Sequence, residues 1–343
     1  MPLRLLPRSQ PLAAALVVLA IAAAGCSSNP VDAPPPTITP ASAAVSPPVA
    51  GAPAGTVHPL TVDPRAALFD PATRSLVVLG PGPEGRSALT VLTASAPPRT
   101  VPTPETATAM AGTEDGVLYV SVRGGYLRVD VAEGTVDRVA VEGEADTDFT
   151  AITRRSDGHL VLGTSEGAVL TLDSDTTVGA RLGIFARVDA LVAQGNTTVV
   201  LDRGQTSVTA LDASGTKAAQ ALRAGEGATT MAADPRGRVL VADTRGDELL
   251  VFGTDPLIMR QRYPVPGAPY GLAGSSGLAW VSQTATNTVI GYDLSTGIPV
   301  EKVRHRTVQQ PNLLAYDETS GTLYVVSGTG AGVQVITAAA GPP

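Results

Sequence analysis

Between residues 67 and 337 the chain repeats one order of hydrophobic and polar positions seven times. A short apolar piece comes first, then a polar turn with Gly, Asp or Asn, then a strongly apolar run. A Gly- or Ser-rich loop leads to a second apolar run, and a more polar segment closes the unit. The units begin at Ala67, Ala109, Ala151, Ala190, Thr230, Gly271 and Leu313, at spacings of 42, 42, 39, 40, 41 and 42 residues. The first long runs read "SLVVL", "VLYVSV", "HLVLG", "TTVVLD", "RVLVAD", "LAWVS" and "TLYVVS"; the second read "ALTVLT", "YLRVDV", "AVLTLD", "SVTALD", "ELLVFG", "TVIGYD" and "GVQVIT". Each is short and bounded by turn residues, which reads as strand. Four strands in about 41 residues is the size of a β-propeller blade. The pattern therefore predicts an all-β fold, a seven-bladed β-propeller of four-stranded blades.

The seventh unit stops after its third strand, and the strand-like piece "TVHPLTV" (56–62) precedes the first. Pairing the two would complete the last blade, close the ring and remove its open edges. The small residues that start most units suit innermost strands, which crowd around a central channel. The domain expected is 56–338, with a short tail at 339–343.

The first 55 residues follow another pattern. Arg4 and Arg8 precede an apolar run of 14 residues (12–25), too short to span a bilayer comfortably. Small residues Ala23, Ala24 and Gly25 then lead to Cys26, the sole cysteine of the 343 residues. This resembles the bacterial lipobox, although Ala23 stands where Leu is usual. The resemblance implies cleavage after Gly25 of a signal peptide (1–25) and a diacylglyceryl group on the Cys26 thiol. Two acyl chains anchor stably where one is marginal. The location implied is the cell membrane, with the protein lipid-anchored on the extracytoplasmic face. Residues 27–55 hold eight prolines, one charge (Asp32) and no apolar period. With Cys26 they read as a disordered or polyproline-like tether, reaching roughly 90 Å at ~3.1 Å per residue.

Composition narrows the function. Charged residues are 16%, aromatics 3%, and the net charge is −7, so nucleic acid is not an expected partner. His58, His159 and His305 fall in different strand layers, and no metal site is expected. One tryptophan, Trp280, excludes a quinone site built on a tryptophan motif in every blade; no cofactor is expected. Asp70, Asp115, Asp157, Asp234 and Asp317 recur between first and second strands, where Asp caps its own turn.

In a propeller, loops entering the inner strands and loops joining second to third strands share one face. Here they carry Arg65, Phe149, Asp189, Tyr270 and Asn312 in the first set, and Arg123, Arg203, Asp243, Arg245, Asp247, Gln283 and Asn287 in the second. Arginines, acids and aromatics together suit a protein or glycan surface. The stretch "DTRGD" (243–247) is expected to be a hairpin loop, with Gly246 at positive φ.

Two repeat families resemble these units. "DPRGRVLVADTRGDELLVF" (234–252) is similar to the NHL repeat, and "TNTVIGYDLSTG" (286–297) to the YVTN or lactonase-like repeat. The chain as a whole resembles the LppL-type lipoproteins of mycobacteria, through stretches such as "FTAITRRSDGHLVLG", "ATTMAADPRGRVLVADTRG" and "TVQQPNLLA". That family implies an exported lipoprotein and no defined reaction. The expected function is a non-enzymatic binding or scaffolding module for an envelope protein or glycan. The alternative is a lactonase-like hydrolase acting at the channel mouth.

Overall fold

The computed structural model describes residue 1, residues 36–60 and residues 63–341. The expected signal peptide from residue 2 on, its expected cleavage at Gly25, Cys26 and the first part of the expected tether lie outside the described residues. Seven separate four-stranded antiparallel sheets follow one another along the chain; six have their strands in sequence order, and the seventh takes its outermost strand from Thr56–His58. Blade five shows the plan: Ala228–Asp234, Arg238–Asp243, Glu248–Thr254 and Leu257–Pro264. The "RVLVA" and "ELLVF" runs are its second and third strands, as the pattern predicts.

Alternation explains why the middle strands read as unbroken apolar runs. In Arg238–Asp243, Val239 and Val241 pack with Val199, Leu201 and Val208 of blade four. Leu240 and Ala242 point the other way, onto Val281 and Ile290 of blade six. Successive side chains face opposite sides of a strand, and here both sides are covered. The outer strands lack a second cover, so Ala218–Arg223 is almost wholly exposed and polar residues are tolerated there.

The ring closes as expected. Thr56–His58 pairs antiparallel with Val333–Ile336 in the register Thr56↔Val335, Val57↔Gln334, His58↔Val333, and becomes the fourth strand of blade seven. Leu76 and Val78 of blade one pack against Val326 and Val333 of blade seven, so the seam is an ordinary interblade core.

Two boundaries differ from the sequence reading. The compact unit starts at Pro36, not at residue 56. Residues 36–55 form no strand before Thr56, yet Ala41 and Ser46 are buried against the propeller. Over these residues the tether is not free. At the other end the fold extends past 338: Ala339 is fully buried, its N–H donates to Gly321 O (2.9 Å), and its carbonyl meets His305 Nε2 (2.8 Å).

Asp70, Asp157, Asp234 and Asp317, four of the five recurring aspartates, are turn caps; Asp115 accepts the Thr113 hydroxyl. Asp234 accepts the Arg236 N–H (2.8 Å) and the Arg238 guanidinium (2.8 Å), and Asp317 accepts the Thr319 N–H (2.9 Å). Asp70 likewise accepts the Thr73 N–H (3.0 Å), and Asp157 that of His159 (3.2 Å).

Candidate functional site

The inner strands of all seven blades line a central cavity of about 310 Å³. Most of its wall is small or apolar. Arg65, before the inner strand of blade one, and Asp189, before that of blade four, are its charged lining residues. Neighbouring blades are stapled to one another around the channel by side chains. The Arg65 guanidinium donates to Ala107 O (3.0 Å), Thr108 Oγ1 to Phe149 O (2.6 Å), Thr150 Oγ1 to Val188 O (2.5 Å) and Ser282 Oγ to Pro311 O (2.5 Å). Thr230 Oγ1 donates to Tyr270 O in the same way.

Asp189 accepts the Arg203 N–H (2.8 Å) and faces the Arg187 guanidinium at 3.3 Å. Burial nevertheless dominates and raises its carboxyl above the ordinary range, with Asp202 adding to the rise. Folding thus favours the neutral acid. That contribution is complete in acid and is lost as pH rises through the raised titration range. Asp189→Asn is expected to unfold at higher urea than the parent at about pH 7 and at the same urea at about pH 3. A variant weakened at pH 7 would show that Arg203 and Arg187 stabilise the charge more than burial penalises it.

One face carries the loops singled out in the sequence, and residues 36–54 run across it as a strap. Thr37 packs on Gly204, and the Ile38 N–H donates to Gly204 O (2.8 Å) in blade four. Arg245 of blade five donates to Thr39 O (2.7 Å), and Arg203 donates to Ala41 O. Over blade six, Thr284 accepts the Ala44 N–H (3.2 Å) and, at its carbonyl, Ser46 Oγ (2.5 Å). Asn287 donates to Pro47 O (2.7 Å). At the entrance to blade seven, Gln310 Oε1 accepts the Ser46 N–H (3.0 Å) while its Nε2 donates to Ala44 O (2.9 Å) and to Asn312 Oδ1 (3.0 Å). Gln309 donates to Ser46 O (3.1 Å). The Ala54 N–H then meets Arg306 O (3.0 Å), and the chain enters the closing strand.

The face therefore differs in part from its sequence-based description. Arg65, Arg245 and Asp247 are exposed, and Asp189, Arg203, Tyr270 and Asn312 are half-buried. Phe149, Asp243 and Gln283 are only 1%, 0% and 3% exposed, so they cannot contact a docking partner directly. Phe149 lies in the apolar core between blades two and three. Asp243 accepts the N–H groups of Glu226 (2.8 Å), Gly227 (2.8 Å) and Gly246 (3.1 Å), tying two loops of the face together. Gln283 is held by Thr288 (2.6 Å) and Arg304 (3.0 Å). Positive φ in "DTRGD" falls on Asp247 (53°), not on Gly246. Gly246 is needed for space: a Cβ there would overlap the Asp243 carboxylate. Gln309, Gln310 and Thr284, which hold the strap, were not among the expected site residues.

Among the described residues no group of three or more His, Cys, Asp or Glu could hold a metal ion. Arg65, Asp189 and Asn312 offer the cavity one cation, one carboxylate and one amide, an arrangement suited to orienting a polar ligand.

The chain belongs to the class of seven-bladed β-propellers, and solved structures match it over most of its length. Virginiamycin B lyase from Staphylococcus aureus aligns with a TM-score of 0.65 at 10% identity, covering 82% of this chain and 98% of that one. Hydrazine synthase from Kuenenia stuttgartiensis aligns with a TM-score of 0.62 at 15% identity, over 82% and 97%. The WD40 propeller domain of Doa1 aligns with a TM-score of 0.62 at 11% identity, over 82% and 95%. No protein-family model and no curated protein matches the sequence. A lyase, a synthase and a WD40 domain share this fold, so the fold itself assigns no activity.

Proposed function

We propose that the protein is a lipid-anchored, extracytoplasmic propeller, of the kind the mycobacterial lipoproteins represent, which binds an envelope protein without chemistry on it. The observation that carries the binding part is the strap. It lies on this face held mainly through its main-chain groups, by arginine, asparagine, glutamine and threonine side chains of four blades. A surface that recognises a proline-containing main chain in this way suits docking of extended peptide. Beyond the strap, the face still presents Arg65, Arg123, Glu166 and Asp247 to solvent. Anchoring is supported by the small residues before Cys26 and by the absence of any other cysteine.

A photo-reactive residue at Glu166, on the strap face, is expected to give a discrete protein adduct in intact cells. The same residue at Ile298, 69% exposed between the third and fourth strands of blade six, is expected to give none. Lactone hydrolysis by residues 36–341, abolished by Asp189→Asn, would instead establish the hydrolase.

A further inference from the structure

The strap settles how much chain is left to reach the membrane, and from which side of the propeller it leaves. We infer that it holds the strap face towards the bilayer, so that this face serves an envelope protein that lies on, or projects little from, the membrane. The inference rests on lipidation of Cys26 as proposed above. Thr37 is already seated on Gly204, in the loop joining the second and third strands of blade four. Eleven residues (27–37) follow Cys26 up to that point. Whatever their conformation, covalent geometry limits them to about 40 Å. That is well under half the reach of a tether that ends at residue 55.

Presenting the opposite face would exhaust this span. The chain would have to run outward over Ser207–Leu211 and Ala218–Arg223, about 10 Å at strand spacing. It would then have to descend the height of the blade, about 20 Å for strands of this length, with the turns at both ends added. The propeller body would be pressed against the lipid with no slack. The chain's net charge of −7 provides no attraction to anionic headgroups that would favour such a pose. With the strap face down, the same eleven residues leave room for a ligand between propeller and bilayer.

The test uses the full lipidated chain in vesicles. Lipidation consumes Cys26, so an introduced cysteine is the one free thiol. A donor dye is placed on Glu166→Cys, on the strap face, or on Ile298→Cys, on the opposite face, with acceptor-labelled lipid in the bilayer. Energy transfer to the lipid is expected to be markedly higher from position 166 than from 298. Insertion of about twenty Gly/Ser residues between Pro34 and Pro35 should remove the difference, because the reach then exceeds the propeller's own dimensions. Equal transfer from both sites, or more from 298, in protein that floats with the vesicles would overturn the inference while leaving the anchor intact. Protein that fails to float, with Cys26 still open to the dye, would overturn the anchor itself and the inference with it.

Discussion

Cys26→Ala is expected to move the protein from the membrane to the soluble fraction almost completely. Each buried acyl CH₂ contributes about 0.8 kcal/mol, so the two chains proposed for Cys26 would dominate any other membrane attraction this molecule offers. No described helix is long and apolar enough to cross a bilayer, and the acidic net charge of −7 adds no electrostatic hold. The parent should take up a metabolic fatty-acid label and enter the detergent phase on temperature-induced separation. The variant should do neither. Membrane retention of a variant that carries no label would show that something other than the thiol holds the protein there.

Asp243→Ala is expected to cost about 3–5 kcal/mol, a large share of a domain's net stability. The carboxylate is fully buried and accepts three main-chain N–H groups, from Glu226, Gly227 and Gly246. Alanine fills neither role and leaves those donors without partners. Asp202 is the counterpart in blade four, accepting the N–H groups of Ala186 (2.7 Å) and Gln205 (2.8 Å). The effect of Asp243→Ala should also reach the strap, because Gly227 and Arg245 frame the seat of Ala41. Urea unfolding measures the loss, and Asp243→Asn, which keeps one acceptor, should recover part of it. A change within about 0.5 kcal/mol for the alanine variant would show that the two loops hold each other without the carboxylate.

The propeller was legible because each blade presents the same apolar problem. Val239 and Leu240 face opposite neighbours and must both be apolar, so the strand shows up as a run at a fixed period. The missing fourth strand of blade seven was legible as arithmetic, since three strands and one orphan make a closed ring. The strap was not legible, for a physical reason. It buries almost no side chain, Ala41 and Ser46 apart, and binds through carbonyls and N–H groups that every sequence possesses. The signal lay on the other side of the contact. Gln309 and Gln310 in "TVQQPN", and Asn287, are amides placed on loops that a simple rim would not need. Side-chain direction was the other limit. Loop position assigns Phe149, Asp243 and Gln283 to one face, but whether a side chain turns out to solvent or into the loop depends on packing. In "DTRGD" the glycine was read as a conformational need when it is a need for space beside Asp243.

The proposed binding face, short tether and orientation all depend on residues 36–54 being a fixed part of the propeller. Amide hydrogen exchange on the full chain tests that most directly. The N–H groups of Ile38, Ala44 and Ser46 donate to Gly204, Thr284 and Gln310, and they should exchange far more slowly than in a synthetic peptide of the same sequence. Exchange at the free-peptide rate across 36–50 would contradict the account and return the segment to a free tether.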